Sequence, residues 1–333
     1  MIMKNVLRLK TLWLAPVLLF AVGCGSDSSG GSSASTTGSQ TEGKKLVVGF
    51  SQIGAESGWR TANTESIKSE AEKRGVDLKF SDAQQKQENQ IKAIRSYIDQ
   101  KVDVIAFSPV VETGWEPVLR EAKEAKIPVF VSDRRPDVPN DLYVTFIGSD
   151  FIEEGRRAAE WLAKKSGGKA VIAEITGTAG SAPANDRKKG FTDELAKYPG
   201  MKIVFSQTGE FTRAKGKEVM EALLKSPQGS QITALFAHND DMALGAIQAI
   251  EEAGKKPGKD ILIVSIDGVK DGFKAMAAGK LNCSVECNPL LGPPLFDAIE
   301  KYRKGETLPK RTVMKDGIFD ETTAAKELPN RKY

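Results

Sequence analysis

From Leu46 onward the chain alternates short apolar runs with longer stretches of helical periodicity. The runs Leu46–Phe50, Val76–Ser81, Val104–Ser108, Val129–Ser132, Tyr143–Gly148, Ala170–Ile175, Lys202–Gln207, Ala234–Ala237, Leu262–Ile266, Cys283–Cys287 and Arg311–Met314 read as strands. Between them, apolar residues recur at three- and four-residue spacing over Ala62–Arg74, Gln87–Gln100, Trp115–Ala125, Ile152–Lys165, Arg187–Lys197, Arg213–Lys225, Asp241–Ala253, Val269–Ala278 and Leu291–Lys304, the spacing of amphipathic helices. Strand and helix in turn predict an α/β fold of parallel sheets covered on both faces. Leu46 to Gly148 and Ala170 to Cys287 repeat the same alternation. This predicts two doubly wound domains with a cleft between them. The strand and helix beyond Asn288 form no domain of their own and are expected to cross back.

The first residues follow a different pattern. Lys4, Arg8 and Lys10 precede an apolar stretch from Leu12 to Val22 that is too short to span a bilayer. The reading is a signal peptide over residues 1–23. Ala21-Val22-Gly23-Cys24 resembles a bacterial lipobox, which makes Cys24 the expected site of lipid attachment. Residues 24–43 are rich in Ser, Gly and Thr, bury too little to fold, and read as a flexible tether. The expected place of the protein is the cell envelope, lipid-anchored and facing the periplasm or the outside of the plasma membrane.

Composition excludes several classes. Without Lys4, Arg8 and Lys10 the formal net charge falls from +4 to +1, and no basic block interrupts the folded part, so nucleic acid is not an expected partner. Cys283 and Cys287 lie on one predicted strand, where residues four apart stand about 13 Å from each other, too far for a disulfide. They read as reduced core or cleft-wall residues. His238 is the single histidine and no second Cys or His pair completes a site, so neither metal nor cofactor is expected.

Candidate chemistry collects where strands hand over to helices, the place at which open α/β sheets bind ligands. Glu56, Ser57, Gly58, Trp59 and Arg60 follow the first strand, ahead of a helix pattern starting near Thr61. An aromatic face beside a guanidinium and carboxyl or hydroxyl acceptors suits a polyol such as a sugar. Asp133 and Arg134 end another strand and are expected to pair and to grip neighbouring hydroxyls. Asn239 can donate to and accept from one hydroxyl, and Asp267, backed by Gly268, reads as a hydroxyl acceptor. Asp240 and Asp241 read as helix N-terminal acids. Trp115 and Trp161 read as packing residues, and Lys188 and Lys189 as solvated.

The segments Ser51–Arg60, Gln84–Ala93, Thr113–Leu119, Asp186–Phe191, Gly209–Arg213, Ala237–Met242 and Ser265–Val269 resemble the ribose-type sugar-binding proteins of ABC importers, and among these the galactofuranose-binding group. The likeness implies the type I periplasmic binding fold, two lobes joined by a three-crossing hinge near Gly148–Asp150, Cys287–Pro289 and Lys315–Phe319. The lobes then comprise residues 44–149 plus 288–315 and 150–287 plus 316–333. It also implies ligand contacts at Glu56, Ser57, Trp59 and Arg60, the same role for Arg187, and an aromatic facing the ligand at Phe211. Cys287 and Ser108 fall at cleft-edge positions with no side-chain role assigned. The implied partners are a monosaccharide, galactofuranose or a related furanose or aldose, and ABC permease subunits that receive the closed form. A monomer is expected.

The alternative within the same fold is a binding protein that reports a sugar or autoinducer to a membrane kinase. An enzyme is not expected. A glycosidase needs two carboxyls flanking the scissile bond, whereas the acids here have prospective arginine partners that would hold them ionised. Neither a phosphate loop nor a Ser-His-Asp set is present. If Cys24 carries lipid, Cys24→Ser releases the protein into the soluble fraction of its native host. An unmodified, secreted N-terminus in the wild type, read by mass spectrometry, contradicts this.

Overall fold

The computed structural model describes residues 45–333; the expected signal peptide, Cys24 and the tether lie outside these residues. In chain order the elements are β1 (Val47–Gln52), α1 (Gly58–Lys73), β2 (Asp77–Asp82), α2 (Gln87–Asp99), β3 (Val104–Phe107), α3 (Glu116–Glu124), β4 (Val129–Ser132) and β5 (Phe146–Gly148). There follow α4 (Phe151–Ser166), β6 (Lys169–Thr176), α5 (Ala182–Leu195), β7 (Gly200–Thr208), α6 (Arg213–Leu224), β8 (Ala234–Ala237), α7 (Asp240–Glu252), β9 (Leu262–Asp267) and α8 (Lys270–Ala277). The last are β10 (Cys283–Glu286), α9 (Gly292–Arg303), β11 (Arg311–Val313), β12 (Ile318–Asp320) and α10 (Ala324–Glu327).

The described strands form two six-stranded sheets, in the orders β11-β5-β4-β3-β1-β2 and β12-β10-β9-β8-β6-β7. Every pairing is parallel except β10 with β12. The central strands β3, β4 and β8 are buried at every position, as strands covered on both faces must be. Each sheet has an apolar cluster on either side: α2 and α3 cover one face of the first and α1 and α9 the other, while α4 and α5 oppose α6, α7 and α8 across the second. The chain passes between the sheets after β5, after β10 and after β11, so the carboxyl ends of both sheets face a common cleft.

The larger differences from the sequence reading are these. Helix α1 starts at Gly58, because Ser57 caps it by accepting from Arg60 N, 3.1 Å away; Trp59 and Arg60 thus sit in a first helical turn, not ahead of one. Helix α5 starts at Ala182 with a proline in its first turn, which places Arg187 inside the helix. Tyr143–Thr145 precede β5 and are not part of it, and the antiparallel edge strand β12 has no counterpart among the predicted strands. Trp115 is fully buried against Phe107, whereas Trp161, expected in the core, is only half-buried, with Lys165 over its ring. Cys283 and Cys287 are free and buried.

Helices α4 and α5 cross at unusually short range. A Cβ on Gly155 would stand 2.1 Å from Arg187 O, and one on Gly190 would stand 1.9 Å from Ile152 O. Only glycine permits that approach, and the approach brings Glu154 of α4 to Arg187 of α5.

Candidate functional site

Between the two sheets lies a small cavity, lined by Glu56, Ser57, Trp59, Arg60, Asp133, Arg134, Pro183, Arg187, Phe211, Asn239, Asp267 and Cys287. Of the residues singled out from the sequence, Gly58 is not in the lining. It is exposed, and its amide donates across the cleft to Asp241 Oδ2 at 2.7 Å. Ser108 also stays out of the lining and donates to Asp133 Oδ2 at 3.0 Å.

Arg60 organises the first wall. Its Nε reaches Glu56 Oε1 at 3.1 Å, its Nη2 reaches Asp133 Oδ2 at 2.7 Å, and its Nη1 donates to Gln52 Oε1 at 3.2 Å. The guanidinium also lies over the Trp59 ring, 4.6 Å from its centroid. The Trp59 indole N–H donates to Cys287 O at 2.6 Å, so the ring that lines the cavity also ties the two sides of the cleft together. The expected pairing of Asp133 with Arg134 is present only as a long ion pair. The hydrogen-bonded partner of Asp133 is Arg60, at 2.7 Å, while Arg134 stands 3.9 Å from Asp133 and 3.8 Å from Glu56. Arg134 instead donates from Nη1 to Val110 O at 3.0 Å and lies over Phe211, 5.1 Å from its centroid. Burial, reinforced by the neighbouring Arg60, pulls its pKa down to about 10.

The second wall centres on Arg187. Nε meets Glu154 Oε2 at 2.8 Å, Nη1 donates to His238 O at 2.6 Å, and Nη2 faces Asp267 Oδ1 at 3.8 Å. Phe211 presses its ring on Gly177, where a Cβ would fall 1.9 Å from the ring. Asn239 caps α7 by accepting from Met242 N at 2.9 Å and donates to Phe211 O at 3.1 Å, which leaves one amide N–H for the cavity. Burial raises the pKa of Asp267 well above the usual carboxylate range, with Arg187 only partly offsetting it. Lys188 lies outside the cavity, half-exposed, with its ammonium 3.2 Å from Glu174.

Three turns that present the lining are left-handed at non-glycine residues: Asp133 with φ 64°, Phe211 with φ 62° and Asp267 with φ 131°. Such strain persists where the surroundings over-determine it, and it gathers at functional sites. Among the described residues, two buried polar atoms of the lining, Glu56 Oε2 and Arg134 Nε, have no hydrogen-bond partner. A buried donor and a buried acceptor left open are costly unless a ligand fills them. Glu154 was missed by sequence reasoning. Beside Glu153 it looks like an ordinary first-turn acid of α4, and nothing local marks it as the partner of a residue on another helix. Among the described residues no cluster of His, Cys, Asp and Glu is placed to hold a metal ion, and no helix is long and apolar enough to cross a membrane.

Residues 48–290 match the family model described as periplasmic binding protein domain. The chain is 55% identical over 291 residues to the galactofuranose-binding protein YtfQ of Escherichia coli K12, an alignment that covers 86% of this chain and 92% of the relative. Its fold superposes with a TM-score of 0.84 on the binding component of the arabinose ABC transporter from Shewanella sp. ANA-3 bound to α- and β-L-arabinofuranose, at 58% identity over 86% of this chain and 96% of the other. A Mycobacterium smegmatis protein in complex with β-D-fucofuranose gives the same TM-score and identity, over 86% of this chain and 95% of the other.

Glu154 gives a test of the second wall. Burial pushes its pKa from 4.5 up to about 7 against the pull of Arg187. The folded protein then binds more protons than the unfolded chain between those values. The group's contribution to stability is full below pH 4.5 and is lost as pH rises through 7. Glu154→Gln should flatten the fall in stability between pH 5 and 7.5 by about 2–3 kcal/mol, read by urea unfolding. Identical pH dependence in both proteins contradicts this placement.

Proposed function

This chain belongs to the periplasmic binding protein family, and we propose that it is the substrate-binding component of an ABC-type carbohydrate importer. It takes a monosaccharide, galactofuranose or a related furanose such as arabinofuranose, into the cleft and presents the closed form to permease subunits. The two lobes comprise residues 44–149 plus 288–315 and 150–287 plus 316–333. The protein acts as a monomer held at the membrane through lipid on Cys24.

One observation carries this reading. A small cavity between two sheets has aromatic faces, Trp59 and Phe211, and keeps an acceptor on Glu56 and a donor on Arg134 open. Apolar C–H faces and hydroxyls that both donate and accept are what a sugar offers to such walls. The guanidinium groups of Arg60, Arg134 and Arg187 stand among the carboxyls of Glu56, Asp133, Asp267 and Glu154, so little charge is left over for an anionic ligand. The ligand is therefore a neutral sugar. Glu56, Ser57, Trp59, Arg60, Asp133 and Arg134 contact it from one side, and Arg187, Phe211, Asn239 and Asp267 from the other. The relatives that bind galactofuranose, arabinofuranose and fucofuranose support the furanose form.

The direct test adds D-galactose, L-arabinose and D-fucose, each of which holds a furanose fraction in water. Binding to the native state should raise the melting temperature, by about 2.7 kcal/mol of stabilisation at a hundredfold excess over Kd, and the sugar should be recovered unchanged. No shift with any of the three, or consumption of the sugar, contradicts the proposal.

The residues can be ranked by calorimetric titration with the sugar that gives the largest shift. Arg134→Ala removes charged donors from a dry site and costs about 2–4 kcal/mol, roughly 30- to 1000-fold in affinity. Arg134→Lys recovers little, because a point charge does not replace the fork. Lys188→Ala changes affinity less than about threefold, as expected of a half-exposed site. Equal losses for Arg134→Ala and Lys188→Ala would mean that the cavity is not the binding site.

A further inference from the structure

The turn that carries Asp267 is held from every side, and part of the hold comes from far along the chain. Asp267 has φ 131°, which an L-residue adopts only under constraint. Asp267 O accepts from Cys287 N at 3.1 Å. Gly268 N donates to Ser284 Oγ at 3.0 Å, and Val269 N donates to Asp240 Oδ2 at 2.8 Å. Two further groups are taken by residues 331–333: Gly268 O accepts from Arg331 Nη2 at 2.8 Å, and Lys270 N donates to Tyr333 O at 2.7 Å.

This strap is itself firmly seated. The Arg331 guanidinium lies over the rings of Phe273, Phe319 and Tyr333, at 4.5, 5.1 and 4.7 Å from their centroids. Its Nη2 reaches Glu286 Oε1 at 2.7 Å, and the Tyr333 hydroxyl donates to the same oxygen at 2.7 Å. Glu286 pairs in register with Asp267 on the neighbouring strand, and its other oxygen accepts from Gly317 N in the third crossing at 2.8 Å. None of these groups lines the cavity. Their common effect is to fix the backbone on which the Asp267 carboxyl is aimed.

We infer that Arg331 and Tyr333 are positioning residues for ligand binding, acting through Asp267 by clamping the Asp267–Lys270 turn. Small displacements of a hydrogen-bonding group lose affinity out of proportion to their size, and residues in one network couple non-additively. The inference rests on the reading of the cavity as a sugar site.

The test uses the full chain and the variants Arg331→Ala and Tyr333→Phe, alone and combined with Asp267→Asn. D-Galactose and L-arabinose are titrated by calorimetry, and amide exchange over residues 267–270 is followed in the unliganded proteins. Arg331→Ala should weaken binding about five- to fiftyfold, and Tyr333→Phe less, with most of that loss absent in the Asp267→Asn background. Exchange at Gly268, Val269 and Lys270 should quicken while the central strands stay protected. An equal loss in both backgrounds makes the strap merely structural and overturns the inference, as does unchanged affinity or unchanged exchange in Arg331→Ala. If the wild type binds neither sugar, the sugar reading fails, and the exchange data alone decide whether the strap holds the turn.

Discussion

Three guanidinium groups are buried beside one small cavity, and most of the local structure follows from the need to compensate them. An ion withdrawn from water carries a penalty of several kcal/mol unless charge and hydrogen bonds replace the lost hydration. Arg60 meets this with Glu56, Asp133 and Gln52, and Arg187 with Glu154 and the carbonyl of His238. Arg134 is the exception. It has one carbonyl and two carboxylates at longer range, and its Nε, 3.9 Å from Asp133 Oδ2, makes no hydrogen bond. The cleft is thus complete in its charges and incomplete in its hydrogen bonds, which is the condition a neutral, hydroxyl-rich ligand satisfies.

Placing these groups requires backbone that would not form in isolation. Asp133, Phe211 and Asp267 all occupy left-handed conformations at the carboxyl ends of strands or in the turn beyond one, and each is locked by neighbours. Asp133 N donates to Ile147 O at 2.8 Å, Phe211 O is held by Asn239, and the Asp267 turn is bonded on every side. The close crossing of α4 and α5 through Gly155 and Gly190 does the same for Arg187. Such rigidity is what lets binding energy go to the ligand and not to ordering the site. Contacts such as Gly58 to Asp241 and Asn185 to Glu112 Oε2, at 2.7 and 2.6 Å, cross the same cleft outside the cavity.

The parts of this legible in the sequence are those with a local signature. Val104–Phe107 and Val129–Ser132 are continuous apolar runs, and they are fully buried strands. Glu56 to Arg60, Asp133, Arg134, Asn239 and Asp267 stood out because polar and aromatic side chains follow such runs directly, Arg187 and Phe211 through the family resemblance alone, and all of these but Gly58 line one cavity. What was missed depends on distant partners or on caps. Helix α1 reaches back to Gly58 because of the Ser57 cap, and β12 exists because Ile318–Asp320 pair with β10, a tertiary contact with no periodicity to announce it. Asp133 and Arg134 are adjacent in sequence, which invited pairing them, yet Arg60 arrives from another element and takes the short contact to Asp133, leaving Arg134 3.9 Å away. Glu154 and the residue 331–333 strap are invisible for the same reason.

The most direct test of the account is a crystal structure of the protein grown with D-galactose or L-arabinose. A furanose ring should lie between Trp59 and Phe211, with hydroxyls hydrogen-bonded to Arg134 Nε and Glu56 Oε2, the two lining atoms that otherwise make no hydrogen bond. A sugar bound elsewhere, or one in the cavity that leaves both atoms unpaired, would contradict it.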